Sequence, residues 1–245
     1  MGTVADDVRD VLMTDRKTII NRVSKGFTLI EILVALFIFS IIITLVFRSF
    51  KEIAFSAKIV NESSHDYEML NNCLIRMTAD LESVFVHQKP EYLEPGFNSD
   101  PDPYRFEGNG ESAGDTNFPV IRFTSLAHLP VNRDKRQGIA EIVYYVDATE
   151  DGVFQLRRSD RIAFGKDFEK SKRHPVLCSR IKKMSVKYFD AAGDEFDDWD
   201  SESEEYGYAT PSHLAISIET GKDEQVVTFG TRIALHSIRD KKEEK

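Results

Sequence analysis

The sequence predicts an α+β fold, in which one long N-terminal helix packs its second half on an antiparallel β-sheet head. Three observations predict it. No glycine or proline occurs from Phe27 to Lys89; prolines and glycines then crowd the stretch from Pro90 to Gly114; and beyond Phe118 the hydrophobic period changes to two. The chain has 245 residues, 41% of them hydrophobic, enough for one well-buried domain or two small ones. Its formal charge of -9 argues against nucleic acid as the main partner. That charge is unevenly placed: Arg16, Lys17, Arg22 and Lys25 make the N-terminus basic, while the stretch from Asp190 to Glu205 is strongly acidic.

The first element is apolar. From Phe27 to Phe47 the chain reads FTLIEILVALFIFSIIITLVF, with Glu31 its single charge and Arg48 closing it. At 1.5 Å per residue such a run spans a bilayer. An ordinary secretory signal carries a small-residue cleavage site after its apolar core, and no such site follows here. Lys25 and Gly26 instead precede the run, so a cut after Gly26 leaves the helix on the mature chain. The basic residues lie just before the helix, and the positive-inside rule keeps that end cytoplasmic. A buried carboxylate at Glu31 is costly in a bilayer, about 2.5–3.5 kcal/mol on insertion scales, and persists where a partner or a function retains it.

The stretch KGFTLIEILVAL resembles the prepilin signal shared by type IV pilins and the pseudopilins of type II secretion. The resemblance implies that residues 1–26 form a cytoplasmic leader. A membrane prepilin peptidase would cut between Gly26 and Phe27 and methylate the new amine of Phe27. Glu31 matches the family's glutamate, fifth in the mature chain; in a filament the N-terminal amine of a neighbouring subunit could neutralise its carboxylate and set subunit register, the alternative being a carboxylate that snorkels to the interface of a plain single-pass anchor. Residues 27–48 would then form the transmembrane and filament-core helix of a type IV pilin-like fold.

Residues 49–89 are read as the amphipathic continuation of that helix. Phe47, Phe50, Ala54, Ala57, Val60, Tyr67, Leu70, Leu74, Met77, Leu81 and Val84 recur mostly three or four apart, while Lys51, Glu52, Lys58, Glu62, Asp66 and Glu68 fall elsewhere on the wheel. A long loop follows from Pro90, and the run GNGESAGDT is assigned to it because it lacks the Lys-Ser/Thr pair of a phosphate cradle. Strands are expected around Val120 to Ser125, Ile139 to Val146, Val153 to Arg158, Ile181 to Phe189, His213 to Glu219 and Val226 to Ser237. Short connections favour antiparallel pairing. The loop and β-rich head cover residues 90–238, and residues 239–245 form a charged tail.

Three head segments, EIVYYVDATEDGVFQLRRSD, KMSVKYFDAAGDEFDDW and PSHLAISIET, resemble in that order the head of the J-type minor pseudopilins of type II secretion systems (GspJ/PulJ family). The departures are the long loop after Pro90 and the acidic insert between Trp199 and Pro211. The resemblance implies a hetero-oligomeric tip with I-type and K-type minor pseudopilins on a filament of major pseudopilin, which helps export folded proteins through an outer-membrane secretin. It implies a single-pass inner-membrane protein with a periplasmic head. The K-type subunit characteristically lacks the glutamate, so a chain with Glu31 would sit below it. The alternative is a minor pilin of a type IV pilus used for adhesion, motility or DNA uptake.

Enzymatic and metal chemistry find little footing. His65, His87, His128, His174, His213 and His236 are scattered without a close pair at metal-ligand spacing, and no nucleophile elbow is present. Asp194, Asp197, Asp198 and Asp200 could offer oxygens to calcium, but their spacing is not that of an EF-hand and a solvated acidic loop is the commoner arrangement. No catalytic residue, cofactor or metal is assigned. A basic run from Lys166 to Lys183, with Arg173 and Arg180, could face an acidic neighbour. Cys73 and Cys178 permit one disulfide without requiring it.

Overall fold

The computed structural model describes residues 26–96, 100, 102–113, 116–129, 137–162, 168–222 and 225–241, with no side-chain description at 57–63, 112, 222 and 225. Two compact units divide the chain, one ending at Phe55 and one running from Ser56 to Lys245. The leader expected over residues 1–26 lies outside the described residues except for Gly26.

In the first unit the structure is helical from Leu29 onward, as part of α1 (Leu29–Glu82). The span Leu29–Ser56 has 28 residues, none of them buried, and rises about 42 Å, enough for a bilayer core of roughly 30 Å. Two of its hydroxyls bond within the helix: Thr44 Oγ1 donates to the Ser40 carbonyl (2.7 Å) and Ser49 Oγ to that of Leu45 (3.1 Å). An apolar segment therefore presents no unpaired hydroxyl at these positions to lipid.

The second unit is α+β, as expected, but its strands form two antiparallel sheets. The first has the order β5 (Val176–Ser179), β4 (Phe154–Arg161), β3 (Ala140–Ala148), β2 (Thr116–Ser125), β1 (Glu107–Ala113) and β8 (Trp199–Asp200). The second has the order β10 (Gln225–Ala234), β9 (His213–Lys222), β6 (Ile181–Phe189) and β7 (Glu195–Phe196). Helix residues Leu70, Cys73, Leu74, Met77 and Leu81 share one core with Ile121, Phe123, Ile142 and Leu156 of the first sheet and Met184, Val186, Leu214, Ile216 and Ile218 of the second. Alternation is plain along β9, where Leu214, Ile216, Ile218 and Thr220 are buried and the residues between them are half-buried. Strand β3 is buried on both faces from Ala140 to Val146, because the segment around Phe168 and His174 covers its outer side at Tyr145.

Several expectations are corrected. The helix ends at Glu82, short of residue 89, although neither glycine nor proline stops it. The end of β2 does: Ser125 Oγ donates to the Asp80 carbonyl (2.8 Å), the Leu126 amide to Ser83 (2.9 Å) and the Phe85 amide to Thr124 (2.9 Å), so strand groups satisfy the carbonyls that a further turn would have used. On the helix, Asp66 is buried (6%) rather than wet, while Phe50 and Tyr67 are exposed; Asp66 is held by Arg180, and Tyr67 meets Phe229 edge-on at 4.7 Å. The charged tail begins after Arg239, not at it. Arg239 is 4% exposed, with its guanidinium 3.4 Å over the Tyr92 ring and bonded to the Tyr208 carbonyl (2.6 Å) and Glu202 (2.9 Å).

The glycine-rich run assigned to a loop is largely strand β1, paired with β2 from Glu107↔Arg122 to Ala113↔Thr116. Gly108 is needed for close approach, since a methyl there would overlap the phenol of the buried Tyr188 across the two sheets. Gly108→Ala is expected to destabilise the head by about 1–3 kcal/mol, measured as a lower urea midpoint. Gly110→Ala should be far milder, because its methyl meets only the movable side chain of Asn117.

Candidate processing and assembly site

Gly26, Phe27 and Thr28 precede the first helical turn. Phe27 is 81% exposed, and a side chain at Gly26 would meet no atom within 4 Å. The peptide bond between them is thus open to an enzyme. Glu31 stands in the first turn, where Thr28 is the N-cap. The Thr28 amide and hydroxyl both donate to Glu31 Oε2 (3.2 Å each), and the Glu31 amide donates to Thr28 Oγ1 (3.3 Å). This reciprocal pair is a capping box, satisfying two donors that a helix start leaves orphaned. The T-x-x-E spacing in the sequence carries that signal, beside the partner-subunit role expected of the Glu31 charge. Both roles suit one residue: the carboxylate lies at the positive end of the helix dipole and keeps its exposed side free for a cation.

The head contributes no comparable open site, but it holds a buried ionic cluster that sequence reasoning missed. Asp80, fully buried on α1, accepts a fork from Arg158 on β4 (Nε to Oδ2 2.6 Å, Nη2 to Oδ1 3.2 Å). Arg76 and the Tyr144 hydroxyl also bond to Asp80. Arg158 reaches on to Asp160 (2.5 Å), which also binds His128 Nδ1 (2.5 Å) and the Leu129 amide (2.9 Å). Burial alone would lower the Arg158 pKa, yet the Asp80 hydrogen bond and the neighbouring carboxylates outweigh it and hold the guanidinium charged. Burial, followed by the Asp80 charge, pushes the Tyr144 phenol well above its usual range, keeping it a donor. The cluster fastens the helix to the first sheet.

The acidic insert is folded against its surroundings. Trp199 is buried and donates from Nε1 to the Ala209 carbonyl (3.0 Å). Asp198 accepts from the Tyr206 hydroxyl (2.9 Å), and Lys187 binds Glu195 (2.8 Å) and Asp197 (2.7 Å). Among the described residues no three His, Cys, Asp or Glu side chains are grouped as a metal site requires. A cavity of about 320 Å³ beside the insert is lined by Trp199, Tyr206, Asp190, Asp194, Glu205 and Arg239, among others. In its wall Ser212 lies 3.0 Å from His213 Nδ1, but its hydroxyl also meets the Phe189 (3.0 Å) and Asp190 (2.6 Å) carbonyls, which ties the start of β9 to the end of β6. Members of the basic run are likewise paired within the chain: Lys170 with Glu111, Lys172 with Glu150, Arg180 with Asp66. Lys166 lies outside the described residues.

Residues 21–47 match the prokaryotic N-terminal methylation motif. Compared with curated proteins, the chain has no match. The motif, together with the apolar helix that it opens, is the N-terminal signature of type IV pilins and pseudopilins.

Proposed function

We propose that the chain is a non-enzymatic filament subunit, made with a cleavable leader, and that it serves as the J-type minor pseudopilin at the tip of a type II secretion pseudopilus. The observation that carries the filament reading is the apolar span Leu29–Ser56, none of it buried, which the methylation motif at residues 21–47 overlaps. A surface so apolar needs lipid first and then other subunits around it. In this reading the helix holds the protein in the inner membrane with the head in the periplasm, until assembly moves it into the filament.

Support for the J-type assignment comes from the head. Its three similar segments fall on the β3–β4 hairpin, on β6 through β8, and on β9, the parts of both sheets that carry much of the core. I-type and K-type minor pseudopilins are the expected partners, with the prepilin peptidase acting beforehand. The test is co-purification: the tagged full-length chain, extracted in detergent from cells that also make candidate I-type and K-type subunits. A stoichiometric ternary complex supports the tip reading. A chain that ignores both and co-purifies instead with the subunits of a retractile pilus supports the minor-pilin alternative.

Glu31→Gln tests the assembly role cleanly. Glutamine can keep the capping box with Thr28 while removing the charge. Filament incorporation is expected to fall at least tenfold with unchanged membrane insertion and leader removal; incorporation at the original level would show that the charge has no part in register.

A further inference from the structure

Cys73 and Cys178 come from distant parts of the chain, one on α1 and one on β5, the edge strand of the first sheet. Both are buried, at 1% and 0% exposure, and both are free thiols in the structure. They are neighbours. Both side chains belong to one buried core cluster. One helical turn earlier, the Met69 sulfur accepts from the Ser179 amide (3.4 Å) and hydroxyl (3.6 Å), which fixes this turn of the helix against β5. No other bond of the described residues asks for cysteine here, since a valine or alanine would fill the same apolar space without a reactive sulfur.

The structure assigns these two residues as a dithiol that closes to a disulfide, stapling α1 to the edge of the first sheet when the head is in an oxidising compartment. That compartment rests on the export proposed above. In the closing step each thiol gives up a hydrogen, the two sulfurs bond, and the two electrons and two protons pass to a disulfide donor such as oxidised glutathione, which leaves as two thiols. Such a bond closes a loop of roughly 100 residues, long enough for a large entropic gain over the open chain. It also protects a weak place. β5 has four residues and is bonded to one neighbour only, so it is the strand most easily lost at that edge.

The neighbouring Cys178 thiol and then burial push the Cys73 thiol far above its ordinary range, so little thiolate exists in the closed fold and exchange must pass through opening of β5 or through folding itself. The test is therefore run on purified full-length chain in detergent, opened in urea and returned to native buffer with mixed reduced and oxidised glutathione. It does not depend on where a cell places the head. After acid quenching, denaturation and thiol labelling, intact mass should show a chain with no label and no attached glutathione. Reduction should then lower the unfolding temperature by about 10 °C, a shift absent from Cys178→Ser. Two labelled thiols, or a glutathione that stays attached to either cysteine, would overturn the staple. Failure of the export reading is seen separately, as a head that added protease cannot reach in spheroplasts.

Discussion

Asp80→Ala is expected to destabilise the head by about 3–5 kcal/mol. The carboxylate is fully buried and is the meeting point of Arg158, Arg76 and Tyr144. Its removal leaves the Arg158 guanidinium, itself 3% exposed, without its main counter-charge in a dry interior, which costs far more than the loss of an exposed pair. Trp199, the single tryptophan, is buried and reports the transition by fluorescence in urea. Asp80→Asn should lie between wild type and alanine, because it keeps hydrogen-bonding capacity without the charge. The double variant Asp80→Leu with Arg158→Met should be more stable than Asp80→Ala, since it no longer strands the buried Arg158 charge, while Asp160 keeps His128 and the Leu129 amide as partners. A loss under about 1 kcal/mol for Asp80→Ala would mean that the cluster does not fasten the helix.

Gly26→Val should abolish leader removal while leaving the fold intact. Among the described residues nothing lies within 4 Å of a side chain built at Gly26, so a packing cost to the helix or the head is not expected, and the effect should be one of recognition by the proposed peptidase. The expected product is a membrane-inserted chain that keeps residues 1–26, carries no methyl group on Phe27 and stays out of filaments. The comparison with Gly108→Ala is useful. There the glycine answers to the Tyr188 ring and the loss is one of stability; at Gly26 the expected loss is one of processing. Cleavage of Gly26→Val at the wild-type rate would place the cut elsewhere.

The elements that declare themselves in the chain are those whose pattern is local. The apolar run from Phe27 and the alternation of β6 and β9 need only neighbouring residues to be read, and the structure has a helix from Leu29 and strands at β6 and β9. What stayed hidden depends on contacts across the fold. The helix stops because Ser125 and its neighbours on β2 bond its last carbonyls, and no residue of the helix announces that. β1 hid behind Gly108 and Gly110, which look like loop residues until the Tyr188 ring is known to press on the first of them. Asp66 and Asp80 look like residues of a wet face, and only Arg180 and Arg158, 114 and 78 residues later in the chain, explain why both are buried. At the candidate site the position of Glu31 was readable, but its bond to Thr28 was overshadowed by the stronger puzzle of a charge in an apolar helix.

The central claim is that the apolar helix is kept and becomes the N-terminus of a filament subunit. Intact-mass and N-terminal analysis of the chain extracted from membranes tests it most directly. The expected product is a mature protein that starts at Phe27, carries one methyl group on its amine and retains the whole helix; a chain that still starts at Met1, or one cut after Phe47 with the helix gone, would rule out a pilin-like subunit.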